Sequence, residues 1–126
     1  VFDAKQFEYP IDFTQFNIIT MNDAAFSQEL LRLYSKQFRE YAQEIQLLVK
    51  KRATTAMSVL HHKIKSSIVI LQLHELQQLQ KALEEAVQQR QPREEQEKLS
   101  KIMALCAKVE KTLENKIIYE ANSIKS

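Results

Sequence analysis

The sequence predicts an all-α protein: an antiparallel four-helix bundle with an N-terminal arm that is irregular or forms only a short helix. Three observations favour this class. The 126 residues include no glycine and only two prolines, whereas β-hairpins and phosphate-binding loops depend on glycine. Apolar residues recur at spacings of three and four over long segments, which is typical of amphipathic helices. The links between these segments are short, as in antiparallel bundles.

Composition also limits the classes of function. The net charge is only +2, with acidic and basic residues interleaved, so the sequence lacks the basic stripe typical of nucleic-acid binding. No apolar run approaches the roughly 20 residues of a membrane span, and the first residues lack the apolar region of a signal peptide. The single cysteine, Cys106, excludes an internal disulfide and fits a reducing compartment. We therefore expect a cytoplasmic protein that binds no nucleic acid and has no membrane span.

The chain is predicted to divide into an arm, residues 1–19, and one bundle domain, residues 20–126. Aromatic side chains are frequent in the arm but follow no sustained period, and Pro10 interrupts it. A chain of 126 residues is long enough for one hydrophobic core. We therefore expect a single domain against which the arm packs.

The first long helix is predicted to follow Thr20, Asn22 and Asp23, whose side chains are good N-caps. The basic residues 50–52 end it, where the helix dipole is negative. Its apolar face is predicted to contain Phe26, Leu30, Leu33, Tyr34, Phe38, Tyr41, Ile45 and Leu48. Such a stripe is typical of a helix with one side on a core.

Three further helices complete the predicted bundle. Thr54 or Thr55 caps the second, which extends to about Leu71. The third covers about residues 74–89 and leads into the polar link 88–93. The apolar stripe of the last helix is formed by Leu99, Ile102, Met103, Cys106, Val109, Leu113 and Ile117.

The segment Thr55–Leu71, TAMSVLHHKIKSSIVIL, contains the candidate site. Successive residues of an α-helix are ~100° apart, so each can be assigned to a face. The core face is predicted to contain Ala53, Ala56, Met57, Leu60, Ile64, Ser67, Ile68 and Leu71. The opposite, outer stripe contains Thr55, Ser58, His62, Lys65, Ser66 and Val69. His62 points almost directly away from the core, and His61 lies at the core boundary.

An outward-facing His62 fits the chemistry of phosphoryl transfer. A solvated imidazole is largely neutral at cytoplasmic pH, so one ring nitrogen keeps a lone pair for attack. Lys65, one turn further on, can stabilise the charge of the phosphoryl oxygens. Ser58, Ser66 and Val69 are predicted to form the docking surface, because small side chains permit a close approach and valine offers an apolar contact.

The segment Leu60–Leu76, LHHKIKSSIVILQLHEL, resembles the motif of the histidine-containing phosphotransfer (HPt) domain family. His62 matches the phosphorylated histidine and Lys65 the characteristic lysine. The apolar positions of the motif are matched by Ile64, Leu71 and Leu76. Glu84 continues the family pattern in the next helix, and the resemblance covers about residues 20–120.

Two positions depart from the motif, because Ser66 and Gln72 stand where the family usually has glycine. Serine is small enough to keep the first position open. At Gln72, a glycine would help the turn between helices. We therefore expect either a turn without a positive-φ residue, or a helix that continues past Leu71 with a kink.

The resemblance implies a phosphorelay carrier of two-component signalling, not an enzyme with its own turnover. Such domains accept a phosphoryl group from the aspartyl phosphate of a response-regulator receiver domain and pass it to another receiver. Hybrid sensor histidine kinases are the other expected partners. The receiver supplies Mg²⁺, so this chain is expected to need no metal or other cofactor. Docking should be transient and modest in area.

Alternatives remain open. His61 is a rival phosphoacceptor, although its boundary position favours packing or hydrogen bonding. An inactive, HPt-like helical bundle that only docks a partner is the alternative function. A zinc site from His61, His62 and His74 is disfavoured, because adjacent helical side chains diverge by ~100° and no His/Glu pair has the i,i+4 spacing. Glu75 and Glu84 are interpreted as solvated helix charges.

Overall fold

The computed structural model describes the backbone of residues 8–125 and the side chains of residues 8–122. These described residues form five α-helices: α1 (Thr14–Thr20), α2 (Ala24–Lys50), α3 (Thr54–Ile70), α4 (His74–Gln88) and α5 (Pro92–Lys125). No strand occurs between residues 8 and 125, and the all-α prediction is confirmed. α2 and α4 each pack against both α3 and α5, so the four long helices share one core.

The arm packs against the long helices, and part of it is helical. Residues 1–7 of the predicted arm lie outside the described range. α1 buries Phe16, whose ring meets Tyr34 of α2 edge to face at 6.3 Å. Ahead of α1, the backbone N–H of Tyr9 donates to the Thr112 hydroxyl of α5 at 2.8 Å. These contacts tie the arm to both α2 and α5.

The apolar faces of the long helices meet as expected from their spacing. Their buried members include Phe38, Tyr41, Ile45, Met57, Ile64, Ile68, Leu76, Leu83, Val87, Ile102, Cys106, Val109 and Leu113. Three assignments to these faces are wrong, because Phe26 and Leu33 are 43% and 48% exposed and Ala56 is exposed. These residues lie at the edges of their stripes, where no described part of the chain covers them.

The link between α3 and α4 differs from both alternatives expected at Gln72. α3 ends at Ile70, and Gln72 adopts the left-handed conformation with φ of 55°. The N–H of Leu73 donates to the Ile68 carbonyl at 2.9 Å, and the N–H of Gln72 to the Val69 carbonyl at 3.1 Å. These two bonds form a Schellman cap. They satisfy carbonyls at the helix end, which offsets the cost of a left-handed residue other than glycine.

The links after α2 and α4 repeat this cap. Arg52 and Arg90 have φ of 55° and 54°, and the same pair of hydrogen bonds closes each helix end. Arg52 also bridges three helices, because its guanidinium donates to the Glu95 carboxylate of α5 at 3.0 Å and to the Val87 carbonyl of α4 at 2.9 Å. Glu95 is only 4% exposed, so Arg52 neutralises a nearly buried charge.

Candidate functional site

α3 places the predicted outer stripe on the surface. His62, Lys65 and Ser66 are exposed, and Val69 is 53% exposed. Ser58 is also exposed. The opposite side of α3 is buried against the core and consists of Met57, Leu60, Ile64, Ser67 and Ile68. The five predicted site residues therefore share one solvent-facing surface of one helix.

His61 has a very different environment from its neighbour. It is only 8% exposed, and each of its ring nitrogens has a partner. Nδ1 lies 3.0 Å from Oε2 of Glu84, and Nε2 lies 3.0 Å from the Tyr41 hydroxyl. Because a carboxylate only accepts, Nδ1 must carry the proton and donate to Glu84. In the neutral ring, Nε2 then accepts from the Tyr41 hydroxyl.

Burial keeps the Tyr41 phenol available for this hydrogen bond. Removal from solvent raises the pKa of Tyr41, and the charges of Cys106 and Glu84 add to the effect, while the nearby polar side chain of Gln80 opposes it. Because its pKa is raised, the phenol stays protonated at pH values well above those at which a solvated tyrosine ionises. The protonated hydroxyl can donate to Nε2 of His61 whenever that nitrogen carries no proton.

Glu84 connects His61 to the surface. Its second carboxylate oxygen accepts a hydrogen bond from the hydroxyl of Ser58. Ser58 precedes His62 by four residues, so the two side chains are neighbours on the outer stripe. Hydrogen bonds thus run from buried Tyr41 through His61 and Glu84 to Ser58. The interpretation of Glu84 as a solvated charge is wrong, since its side chain is only 24% exposed and accepts hydrogen bonds from His61 and Ser58.

The adjacent histidines consequently differ in their capacity to react. Both ring nitrogens of His61 are occupied by hydrogen bonds inside the protein. His62 faces solvent. Attack on phosphorus needs a nitrogen lone pair that an incoming group can reach, which His62 offers and His61 does not. The geometry therefore favours His62 over the rival His61 as a nucleophile.

Other candidate chemistry is not supported by the described side chains. Among them, no group of three or more His, Cys, Asp or Glu residues is arranged to hold a metal ion. Burial raises the pKa of Cys106 to about 12, with a smaller contribution from the charge of Glu110, so the thiol is protonated and a poor nucleophile. Within residues 8–125, none of the helices combines the length and apolar character needed to cross a bilayer.

The surface beside His62 contains exposed apolar side chains. Val59 is 63% exposed and Val69 is 53% exposed, so one lies on each side of His62 along α3. On a different helix, α2, Leu33 and Phe26 are 48% and 43% exposed. Val59 and Val69 therefore offer apolar contact area on either side of His62.

Comparison with known proteins gave no match: no family model, curated protein or solved structure is significantly similar to this chain. The functional assignment therefore depends on the geometry of α3 and on the local motif around His62. Of the residues in this site, Tyr41 and the hydrogen-bonding role of Glu84 were missed by sequence reasoning. Their spacings from His61 are 20 and 23 residues, and no local pattern connects positions so far apart.

Proposed function

We propose that this chain is a phosphorelay carrier of two-component signalling, in which His62 accepts a phosphoryl group from one receiver domain and donates it to another. The observation that carries the proposal is the contrast within α3, where His62 is exposed and His61 has both ring nitrogens engaged. The resemblance of Leu60–Leu76 to the HPt motif supports it. So do the contacts among the four long helices, which are compatible with the antiparallel bundle of that family.

In the proposed transfer, a ring nitrogen of His62 attacks the phosphorus of an aspartyl phosphate on the receiver. The N–P bond forms, the P–O bond breaks, and the aspartate leaves as a carboxylate with the electron pair. The ring then loses its remaining N–H proton to water. Lys65 stabilises the charge on the phosphoryl oxygens, while the receiver contributes Mg²⁺. The reverse reaction delivers the group to a second receiver, so the chain is a carrier without turnover of its own.

Docking is proposed to occur on the outer stripe of α3. Ser58 and Ser66 are small and exposed, so they permit a receiver to approach His62 closely. Val69, 53% exposed, supplies an apolar contact one turn beyond Lys65. The partners are receiver domains of response regulators and of hybrid sensor histidine kinases, which would place the chain in the cytoplasm.

A second candidate is a helical interaction module that docks a partner without being phosphorylated. The exposed apolar side chains favour it, since Val59, Val69 and Leu33 provide binding area whether or not His62 reacts. In that case His62 would be one surface residue among others. Binding would then survive its replacement.

The test uses the purified chain, labelled phosphorylated receiver domains and Mg²⁺. The variant is His62→Gln, and the matched control is His74→Gln, since His74 is also exposed and lies on α4. We expect acid-labile, alkali-stable label on wild type and His74→Gln but not on His62→Gln. Lys65→Ala should slow transfer by about tenfold or more, because one charge on the transition state is lost.

The other possible outcomes would contradict the proposal in different ways. Label that persists in His62→Gln would refute His62 as the acceptor. Receivers that bind wild type and His62→Gln equally, without labelling either, would establish the interaction module instead. The assay should include several receiver domains, because a phosphorelay carrier transfers the phosphoryl group only to and from its own partners.

A further inference from the structure

We propose that His61 is a positioning residue for the phosphoacceptor. Held at both ring nitrogens by Tyr41 and Glu84, it fixes the rotation of α3 that turns His62 outward. The inference rests on the proposed function of His62, and it concerns a residue that does not itself touch the phosphoryl group.

The two partners of His61 hold it from different helices. Tyr41 belongs to α2 and Glu84 to α4, and each lies 3.0 Å from a ring nitrogen of His61. Apolar contacts tolerate small rotations of a helix, whereas hydrogen bonds weaken steeply when their angle changes. Because adjacent helical side chains diverge by ~100°, fixing the direction of His61 also fixes that of His62.

Ser58 adds a second point of attachment on the same flank of α3. Glu84 accepts from Ser58 with one carboxylate oxygen and from His61 with the other. The two donors are three residues apart, which is about 4.5 Å along the helix axis. One carboxylate that holds two points on a helix resists sliding as well as rotation. Glu84 therefore sets both the direction and the height of the His62 side chain.

Such precision matters for transfer from a protein donor. A docked receiver fixes its aspartyl phosphate in space, so attack in line with the breaking P–O bond requires His62 at one position. A displacement of about 1 Å can reduce such a rate by about 100-fold. A small donor that diffuses freely can reach a displaced histidine from a suitable direction. Positioning should therefore affect the two kinds of donor differently.

The experiment compares Glu84→Ala with Glu84→Gln. Alanine removes the acceptor for both His61 and Ser58. Glutamine keeps an oxygen that accepts from Nδ1 of His61 and gains an amide N–H that can donate to Ser58. Each variant receives phosphate from a phosphorylated receiver and, separately, from phosphoramidate. In phosphoramidate the P–N bond breaks and ammonia leaves as the bond to His62 forms.

We expect Glu84→Ala to lower the maximal single-turnover rate of receiver transfer by about 10- to 100-fold. The receiver concentration that gives half of this rate should change much less, because Ser66 and Val69 are unaffected and only Ser58 of the docking side chains loses a hydrogen-bond partner. Phosphoramidate labelling of His62 should stay within about twofold, and Glu84→Gln should restore most of the receiver rate. If Glu84→Ala fails to fold, Tyr41→Phe replaces it, since it removes only a hydroxyl. It should lower receiver transfer in the same direction.

A spectroscopic signature supplements the kinetics and needs no phosphodonor. Nitrogen-15 NMR of labelled histidine should show the Nδ1–H tautomer for His61 in wild type and in Glu84→Gln. Glu84→Ala should lose this preference, because the carboxylate that selects it is gone. Wild-type His61 in the Nε2–H tautomer would overturn the inference.

The kinetic outcomes separate failure of this inference from failure of the proposed function. Receiver and phosphoramidate rates that fall together in folded Glu84→Ala would mean that the residue acts on the reactivity of His62, not on its position. If the rates with both donors are unchanged in Glu84→Ala, His61 contributes only to the packing of α3 and does not position His62. Each of these results overturns the inference alone. Absence of label on wild-type His62 from either donor would overturn the phosphocarrier function and the inference with it.

Discussion

Replacing Gln72 by glycine should stabilise the protein, although glycine normally weakens helical proteins. Gln72 follows α3 with φ of 55°, a conformation that costs a residue with a Cβ about 1–2 kcal/mol. Glycine removes that cost but gives the unfolded chain more freedom, worth about 0.5–1 kcal/mol. The difference predicts a gain of about 0.5–1 kcal/mol in the free energy of unfolding, or about 2–4 °C in Tm.

Two further variants isolate the backbone effect. Hydrogen bonds from Thr14 lower the pKa of Asp12, and the side chain of Gln72 makes a smaller contribution in the same direction. Gln72→Ala and Gln72→Gly both remove this side chain, so the difference between them reports the backbone conformation alone. Gln78 lies exposed within α4, where Gln78→Gly should cost about 1 kcal/mol. Two glutamine-to-glycine changes six positions apart should therefore have opposite signs.

Urea unfolding followed by far-UV circular dichroism measures these differences. The dependence of free energy on urea should stay the same in all variants, so that a shifted midpoint reports stability. Gln72→Gly less stable than Gln72→Ala would refute the argument. It would mean that the backbone at this link does not adopt the left-handed conformation in solution.

Other predictions concern buried charge, the thiol and the two histidines. Arg52→Ala should lower the free energy of unfolding by about 1–3 kcal/mol, because it leaves the carboxylate of Glu95, 4% exposed, without its partner. This range already allows for the partial exposure of Arg52, which weakens the ion pair. A loss smaller than about 0.5 kcal/mol would contradict the prediction. Burial raises the pKa of the Cys106 thiol from 9.0 in the unfolded chain to about 12 in the folded protein. As the pH rises from 9 to 12, the unfolded chain therefore loses the thiol proton while the folded protein keeps it. The free energy of unfolding should fall over this range, by at most about 1.4 kcal/mol per pH unit. Cys106→Ala should fall less steeply over this range in pH-dependent unfolding. His62→Gln should change the free energy of unfolding by no more than about 0.5 kcal/mol, because His62 is exposed. His61→Ala should lower it by about 1–3 kcal/mol, because Tyr41 and Glu84 lose their hydrogen-bond partner. Equal effects of the two substitutions would contradict the difference in burial.

Helix positions were predictable because burial on one side imposes a period on the sequence. Asp23, an expected N-cap, does accept a hydrogen bond from the backbone N–H of Phe26. The helix expected to reach about Leu71 ends at Ile70, and the next begins at His74 as predicted. Periodicity also separated exposed His62 from its boundary neighbour, since a face depends only on local spacing.

The features that escaped prediction depend on relations between helices or on backbone energetics. Lack of glycine suggested that the link at Gln72 would avoid positive φ, yet hydrogen bonds from the link stabilise that conformation. The contacts of His61 join faces of three helices, and their relative rotation has no local signal. Edge positions such as Leu33 have helical spacing but lie beyond the reach of a covering neighbour.

The bridge made by Arg52 has a consequence for cooperativity. It joins the link after α2 to the last turn of α4 and the first turn of α5, so neither link can open without exposing the charge of Glu95. That end of the molecule should therefore unfold as one unit. In native-state hydrogen exchange, the amides of the two links would show a common opening energy in the wild-type chain, and Arg52→Ala would separate them into two groups.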